Sequence, residues 1–310
     1  MTIPRMSSRE PIPAALRGAV AALGNFDGFH LGHQAVAAAA IAQARAAGQP
    51  AIIATFDPHP VRHFAPLATP FRLTSLNQRQ RLFETAGADA MLVFEFDAEM
   101  AATSADDFVG KLLVERLGLS GVVTGEDFTF GKDRGGNMDI LRKAGAALGF
   151  TASTIGPVTD AGGVISSSRI REALKSGDCA TATRLLTRPF TVEGPVIHGD
   201  KNGRKLGFPT ANIFMSGYVR PAYGVYAVRG KLPDGRFLDG AANIGIRPQF
   251  DPPKELLEPH FFDFDGDLYG QTIEVEFHNF LRPEAKFDGL DALMAQIGKD
   301  CEAARTILGG

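Results

Sequence analysis

Two histidines three residues apart carry the first sign of chemistry in this chain. They lie in Gly24-Asn25-Phe26-Asp27-Gly28-Phe29-His30-Leu31-Gly32-His33, between a β-prone run and an alanine-rich helical pattern. Gly28 and Gly32 allow the backbone to turn tightly and to approach a ligand closely. A helix that starts here offers free N–H groups and a partial positive charge, which suit phosphate. Within a helical first turn His30 and His33 share a face. Two imidazoles there can donate hydrogen bonds to a triphosphate and stabilise charge while an α-phosphate is attacked. Ordinary polar residues at a helix start are the other reading of the same pair. Zinc is a poor match, because neither H-E-x-x-H nor a nearby cysteine cluster is present. His59 and His63 are four apart, but Pro58 and Pro60 disfavour a regular helix between them.

A second stretch, Gly199-Asp200-Lys201-Asn202-Gly203-Arg204-Lys205-Leu206-Gly207-Phe208-Pro209-Thr210-Ala211-Asn212, places three glycines and three cations within nine residues. Such a loop can form a positive backbone concavity for phosphates. Thr210 and Asn212 are two apart on an expected strand, so both side chains emerge on one face. Their hydroxyl and amide oxygens can together hold a hydrated Mg2+ that bridges nucleotide phosphates. A solvated hairpin loop is the alternative. No G-x-x-x-x-G-K-[ST] occurs: Gly125–Lys132 comes nearest, but its spacing is one residue too long and Asp133 stands where Ser or Thr is needed. H-R-D and D-F-G are missing too, so phosphoryl transfer here needs a different scaffold.

The elements that must position these residues fall into two regimes. From residue 19 to about 155, strand candidates (Ala19–Leu23, Ala51–Phe56, Ala90–Phe96, Gly121–Thr124, Thr151–Ile155) alternate with helical segments (His33–Ala47, Ser75–Ala86, Ser104–Leu117, Met138–Leu148). This alternation predicts an α/β domain, a doubly wound parallel sheet with ligands at the carboxyl ends of its strands. A further helix is expected from Ser167 or Ser168, which can cap it, and another near Ala180–Leu186. The pattern changes at Thr187-Arg188-Pro189, which divides the chain into domains at 1–186 and 187–310. Beyond it, β segments at Thr191–Ile197, Gly224–Arg229, Phe237–Ile244 and Thr272–Phe277 suggest a small antiparallel barrel. Leu290, Leu293, Met294 and Ile297 give the tail Gly289–Leu308 a helical apolar stripe expected to pack on that barrel.

Composition narrows the partners. With 310 residues, a net charge of −3 and a pI near 6.2, bulk electrostatic binding of nucleic acid is not expected. Cys179 and Cys301 are the only cysteines, which excludes a disulfide framework and suits a reducing compartment. The N-terminus has no continuous apolar core, and Ala35–Ala42 is too short to span a bilayer, so the expected location is the cytoplasm and no membrane partner is implied.

GNFDGFHLGH resembles the H-x-G-H signature of nucleotidylyltransferases, in the form seen in prokaryotic bifunctional riboflavin kinase/FAD synthetases. Thr55–Pro60 (TFDPHP), Gly125–Gly131 (GEDFTFG) and Ile165–Arg171 (ISSSRIR) match that family in the same order, and GRKLGFPTAN resembles its riboflavin kinase signature. Gly224-Val225-Tyr226, Asn243–Pro248, Leu257–Phe264, Asp267–Gly270 and Leu281–Glu284 extend the match. The resemblance implies a nucleotidylyltransferase sheet followed by a six-stranded antiparallel barrel. It implies ATP-dependent phosphorylation of riboflavin to FMN in the second domain, then adenylyl transfer from ATP to FMN in the first. The alternative is a flavin-binding or regulatory protein that keeps both folds without turnover.

By the same resemblance His30, His33 and Glu258 are catalytic, and Gly24, Phe26, Asp27, Gly32, Ser167, Ser168 and Arg171 bind the ATP of the first domain. Asp57, His59, Pro60, Asp127 and Phe128 face its flavin; core packing is the competing reading for Phe128 and Phe130. Gly199, Lys205, Gly207, Pro209, Thr210 and Asn212 surround the nucleotide of the second domain, with Thr210 and Asn212 holding Mg2+. Two positions depart from the family pattern: Gln249 and Ser168 stand where threonine is usual, and both retain hydrogen-bonding capacity. ATP, Mg2+ and the flavins are the small molecules implied. The oligomeric state is left open.

Overall fold

A computed structural model describes residues 2–198, 207–247 and 254–309. The chain divides into two compact units, Met1–Ala68 with Ser75–Ile165, and Thr69–Thr74 with Ser166–Gly310.

In the first unit six strands form one parallel sheet: β1 (Arg5–Ser7), β2 (Val20–Leu23), β3 (Ala51–Asp57), β4 (Ala90–Glu95), β5 (Gly121–Gly125) and β6 (Thr151–Ile155), in the order β1-β4-β3-β2-β5-β6. A short β7–β8 pair (Thr159–Asp160, Gly163–Val164) follows. Helices α1 (Leu31–Ala46), α2 (Pro60–Phe64), α3 (Leu76–Thr85), α4 (Ala98–Ala102), α5 (Ala105–Asp107) and α6 (Met138–Leu148) lie between the strands. The central strands are near-continuous buried apolar runs because helices cover both faces. Residues of alternating parity along β3 feed two different cores: Ile52 and Ala54 join Phe94, Phe108 and Leu141, whereas Ala51 and Ile53 join Val36, Ala40 and Phe83. The expected doubly wound sheet is therefore borne out. Its order reverses at β2, which has β3 on one side and β5 on the other. Open sheets of this kind bind ligands at such a switch point.

The structure differs from the sequence expectation in three local ways here. Strand β1, only three residues long, adds an edge to β4 that no periodicity could announce. The expected helix Ser104–Leu117 becomes α5 followed by a π-helical stretch over Phe108–Arg116, with the Leu117 N–H donating to the Leu112 carbonyl at 3.0 Å. The segment after His59 is helical after all: Pro60 takes the first position of α2, where its missing N–H goes unmissed, and His59 caps the turn.

The second unit begins with α7 (Ser167–Lys175), whose cap is Ser166 rather than Ser167 or Ser168, and α8 (Cys179–Leu186). Strands β9 (Phe190–Pro195), β10 (Ile213–Phe214), β11 (Gly224–Lys231), β12 (Phe237–Arg247), β13 (Lys254–Phe261) and β14 (Thr272–Pro283) follow, ordered β10-β13-β12-β11-β14-β9 and antiparallel throughout. The ends of this row meet at an antiparallel bridge, where the Ile197 N–H donates to the Asn212 carbonyl at 2.8 Å. The six-stranded barrel is thus nearly closed. Strand β13 was not legible because Pro259 interrupts it. The Pro259 carbonyl accepts from Ala211 N–H at 2.8 Å, so its ring nitrogen faces the short β10, where a lost donor is tolerated.

Helix α9 (Leu290–Leu308) packs on the barrel with half of the expected stripe, since Leu293 and Ile297 are half-buried. Leu290 and Met294 are 54% and 38% exposed, while Asp300, Ala304 and Leu308 are buried. Asp300 receives Arg282 Nη2 at 2.7 Å and Nε at 2.9 Å, and Gln296 Nε2 at 2.9 Å. No helix among the described residues is long and apolar enough to cross a membrane. Asp300→Ala would leave the half-buried Arg282 without its carboxylate. We expect it to lower unfolding stability by roughly 2 kcal/mol, read as a shift in the urea midpoint.

Candidate active sites

Strand β2 ends at Leu23, and the chain turns over residues 24–30 before α1 begins. Phe26, Gly28 and Phe29 all hold left-handed backbone (φ 47°, 88° and 46°). For a phenylalanine this conformation costs energy and persists only when the surroundings fix it. Both rings are buried: Phe26 meets Phe83 at 5.8 Å and His33 at 5.2 Å, and Phe29 meets Phe83 at 5.1 Å. The Phe26 side chain is therefore core, and only its main chain is available to a ligand.

His30 caps α1. Its Nδ1 accepts the His33 N–H at 3.4 Å, and the two rings stack with centroids 3.7 Å apart. An accepting Nδ1 leaves the proton of a neutral ring on Nε2, which makes that atom a donor. Gly32 admits this arrangement, since a Cβ there would stand 3.2 Å from His30 Cε1 and 3.3 Å from Nδ1. Asp27 is buried beside the turn and Gly24 is half-buried at its start.

The neighbouring strand end adds Asp57, His59 and Pro60. His59 Nδ1 accepts the Val61 N–H at 3.2 Å, and all three residues are half-buried. After β5, Asp127 is exposed and Phe128 half-buried. Phe128 is the outermost ring of a file that continues through Phe130, Phe108 and Phe94, with centroid steps of 5.9, 5.2 and 5.7 Å. Phe130 is core, whereas Phe128 keeps an accessible face.

Sequence reasoning missed Arg79, on α3. It is 2% exposed, and its Nη1 donates to Thr55 Oγ1 at 2.7 Å and to the Asn25 carbonyl at 3.2 Å. Its Nη2 lies 3.6 Å from Asp57 Oδ1. An arginine within an amphipathic helix reads as a solvated face, so nothing in its local sequence marks it.

In the second unit, Ser167 opens α7, Ser168 is exposed, and Arg171 donates from Nε to the Phe71 carbonyl at 2.7 Å with its Cζ 5.3 Å from the Phe71 ring. The 69–74 segment is itself held in this unit, Arg72 N–H donating to Gly217 and its carbonyl accepting from Val219.

The barrel aligns three polar side chains. Asn243 on β12 faces Glu258 on β13, and the register Ile213↔Leu257 continues to bring Asn212 beside Glu258 on the other flank. Residues directly opposite across adjacent strands share a face. Asn212 is buried, Glu258 and Asn243 are half-buried, and Asn243 Nδ2 donates to Glu284 Oε1 at 3.2 Å. Thr210 lies in the irregular segment just before, three residues after the left-handed Gly207 (φ 83°). The Pro209 carbonyl sits 2.9 Å from His260 Nδ1. Gly199, Lys205 and Gln249 lie outside the described residues. Among the described residues no group of three or more His, Cys, Asp or Glu could hold a metal ion. Amide and carboxylate oxygens in one row, with a hydroxyl residue two positions before Asn212, do fit a hard cation that takes its other ligands from phosphate and water.

Neither thiol belongs to these turns. Burial pushes Cys179, at the start of α8, up to about 12, and Cys301 on α9 is raised for the same reason. Imidazoles, a helix N-terminus and oxygen donors suit transfer of phosphorus groups without a covalent sulfur intermediate. The class is a nucleotide-dependent transferase.

Comparison with known proteins agrees. A FAD synthetase family model matches residues 12–169, and a riboflavin kinase model matches residues 186–308. The bifunctional riboflavin kinase/FMN adenylyltransferase of Escherichia coli K12 is 39% identical over 296 residues, 96% of this chain and 95% of that protein. That of Pseudomonas fluorescens is 41% identical over 292 residues, 94% of this chain and 93% of its own length. A crystal structure of a macrolide-efflux protein from Streptococcus pneumoniae covers 98% of this chain and 99% of its own, with a TM-score of 0.87 and 29% identity. The chain belongs to the family of bifunctional riboflavin kinase/FMN adenylyltransferases, enzymes that act on flavins.

Replacing Gly32 by Ala should separate folding from catalysis. A helical Gly→Ala change favours the helix by about 1 kcal/mol. The added methyl must nevertheless displace the His30 ring by a few tenths of an ångström. The expected outcome is an unchanged or raised melting temperature with FAD formation down roughly tenfold, measured by thermal unfolding and product chromatography.

Proposed function

We propose that the first unit's 24–33 turn carries adenylyl transfer from ATP to FMN, and that the barrel row carries phosphoryl transfer from ATP to riboflavin. The observation that supports the first assignment best is the His30–His33 stack at the N-terminus of α1, at the sheet's switch point. The His30 Nε2 proton and the positive N-terminal end of α1 can meet the α-phosphate oxygens as the FMN phosphate attacks and pyrophosphate leaves. Gly24, Asp27 and the Phe26 main chain would line the same nucleotide. Asp57, His59, Pro60, Asp127 and the open face of Phe128 would border the isoalloxazine, the aromatic ring by stacking. Ser167, Ser168 and Arg171 are assigned to ATP phosphates on their motif alone.

For the barrel, Glu258 would accept the proton of the riboflavin 5′-hydroxyl as it attacks the γ-phosphate. Asn212 and Thr210 would hold Mg2+, which when bound neutralises charge on the nucleotide phosphates. Gly207 and Pro209 would shape the loop around them, with Gly199 and Lys205 added by sequence. On this reading the functional division of the chain falls near residue 186, the junction expected from sequence.

Separate sites make a sharp expectation. His30→Ala or His33→Ala should cut FAD formation by roughly 100-fold or more while FMN still forms from riboflavin. Glu258→Ala should reverse that pattern, making FAD only when FMN is supplied. Chromatography of both products from each variant checks this, and equal loss of the two activities would sink the division of labour.

A further inference from the structure

Helix α3 reaches the 24–33 turn with two side chains four residues apart, one apolar and one charged. A spacing of four puts them on one face of the helix. Phe83 meets the rings of Phe26 and Phe29, the two residues held in left-handed backbone. One turn earlier, Arg79 grips the same loop by its polar side. Its Nη1 lies within reach of the Asn25 carbonyl (3.2 Å), Thr55 Oγ1 (2.7 Å) and the Phe56 carbonyl (3.5 Å), and its Nη2 is 3.6 Å from Asp57 Oδ1. Thr55 completes a triangle by donating its own hydroxyl proton to the Asn25 carbonyl at 2.7 Å. The first turn of α3 is fixed by a reciprocal cap, Ser75 with Gln78, so the guanidinium is delivered from a rigid base.

A guanidinium this deeply buried is tolerated only where acceptors surround it. Here those acceptors come from the two segments that flank the β2 and β3 ends: the loop that leads to His30, and the strand end that carries Asp57. Because this reading rests on the proposed adenylyl-transfer site, it deepens that assignment. We infer that Arg79 is a positioning residue for adenylyl transfer, clamping the Asn25 carbonyl to Thr55 and Asp57. The clamp keeps the strained 24–33 turn, and with it His30 and His33, in reacting register.

The planar fork of arginine spans several oxygens at once, whereas a lysine ammonium keeps the charge as a single point. Arg79→Lys therefore tests the clamp rather than the charge. With saturating ATP and FMN, the expected result is a kcat for FAD formation lowered roughly 10-fold to 100-fold, because small misplacements of reacting groups have effects of that size. KM for ATP and for FMN should stay within about threefold, since ground-state contacts remain. Phosphorylation of riboflavin by the same preparation should stay within about twofold of wild type, which reports that the second unit has folded, as the retained KM values report for the first. FAD formation at the wild-type rate, a change confined to KM, or parallel loss of both activities would each overturn the inference. Should Arg79→Lys not fold, Thr55→Val decides: it removes one corner of the triangle at nearly constant shape, and a kcat unchanged within about twofold would likewise overturn it. A wild-type protein that makes FMN but no FAD would instead bring down the site assignment itself, and this inference with it.

Discussion

Left-handed backbone at two buried phenylalanines is the constraint on which the first unit depends. Phe26 and Phe29 cannot relax without withdrawing their rings from the core around Phe83, and burial of that area outweighs the local strain. The strained loop then has one way out, into the N-terminus of α1 with His30 as its cap. The same apolar contacts that stabilise the sheet therefore set the orientation of an imidazole. The alanine-rich α1 adds to this, because Ala37, Ala40 and Ala44 let it lie close over β2 and β3.

The barrel solves a related problem with a ladder instead of a loop. Its polar row is a consequence of register: Asn243 opposite Glu258, and Asn212 one step beyond the Ile213–Leu257 pair. A shift of one residue between β12 and β13 would send Glu258 to the other face. Pro259, next in sequence, restricts the backbone at that point and is accommodated on the side where β10 is short. Packing of α9 through the Arg282–Asp300 pair holds β14 against the same sheet from outside.

Much of this was legible in the sequence. Parallel strands announce themselves as short apolar runs bounded by glycine and proline, and all five expected ones lie within a residue of the observed bounds at each end. The barrel was visible as a change of pattern after residue 187, and the histidine pair and the Thr210–Asn212 pair by spacing. What stayed hidden depended on distant partners. Strand β1 exists only because β4 offers an edge, β13 only because β10 and β12 flank its proline, and the buried face of α9 centres on Asp300 and Ala304, leaving Leu290 and Met294 exposed. Arg79 is the clearest case, for its oxygens come from residues 22 to 54 positions earlier in the chain.

Closure of the barrel has a further consequence. Among the described residues, the seam between the β9 and β10 ends rests on one bridge, Ile197 to Asn212, whereas β11 and β12 are paired over eight residues. Local opening follows the path with fewest hydrogen bonds to break. Breathing of the cylinder is thus concentrated at the residue that contributes its amide to the polar row, and rigidity is kept on the opposite wall. Slow amide exchange along β11 and fast exchange at Ile197 are the signature of such a vessel, stiff at its back and hinged at its mouth.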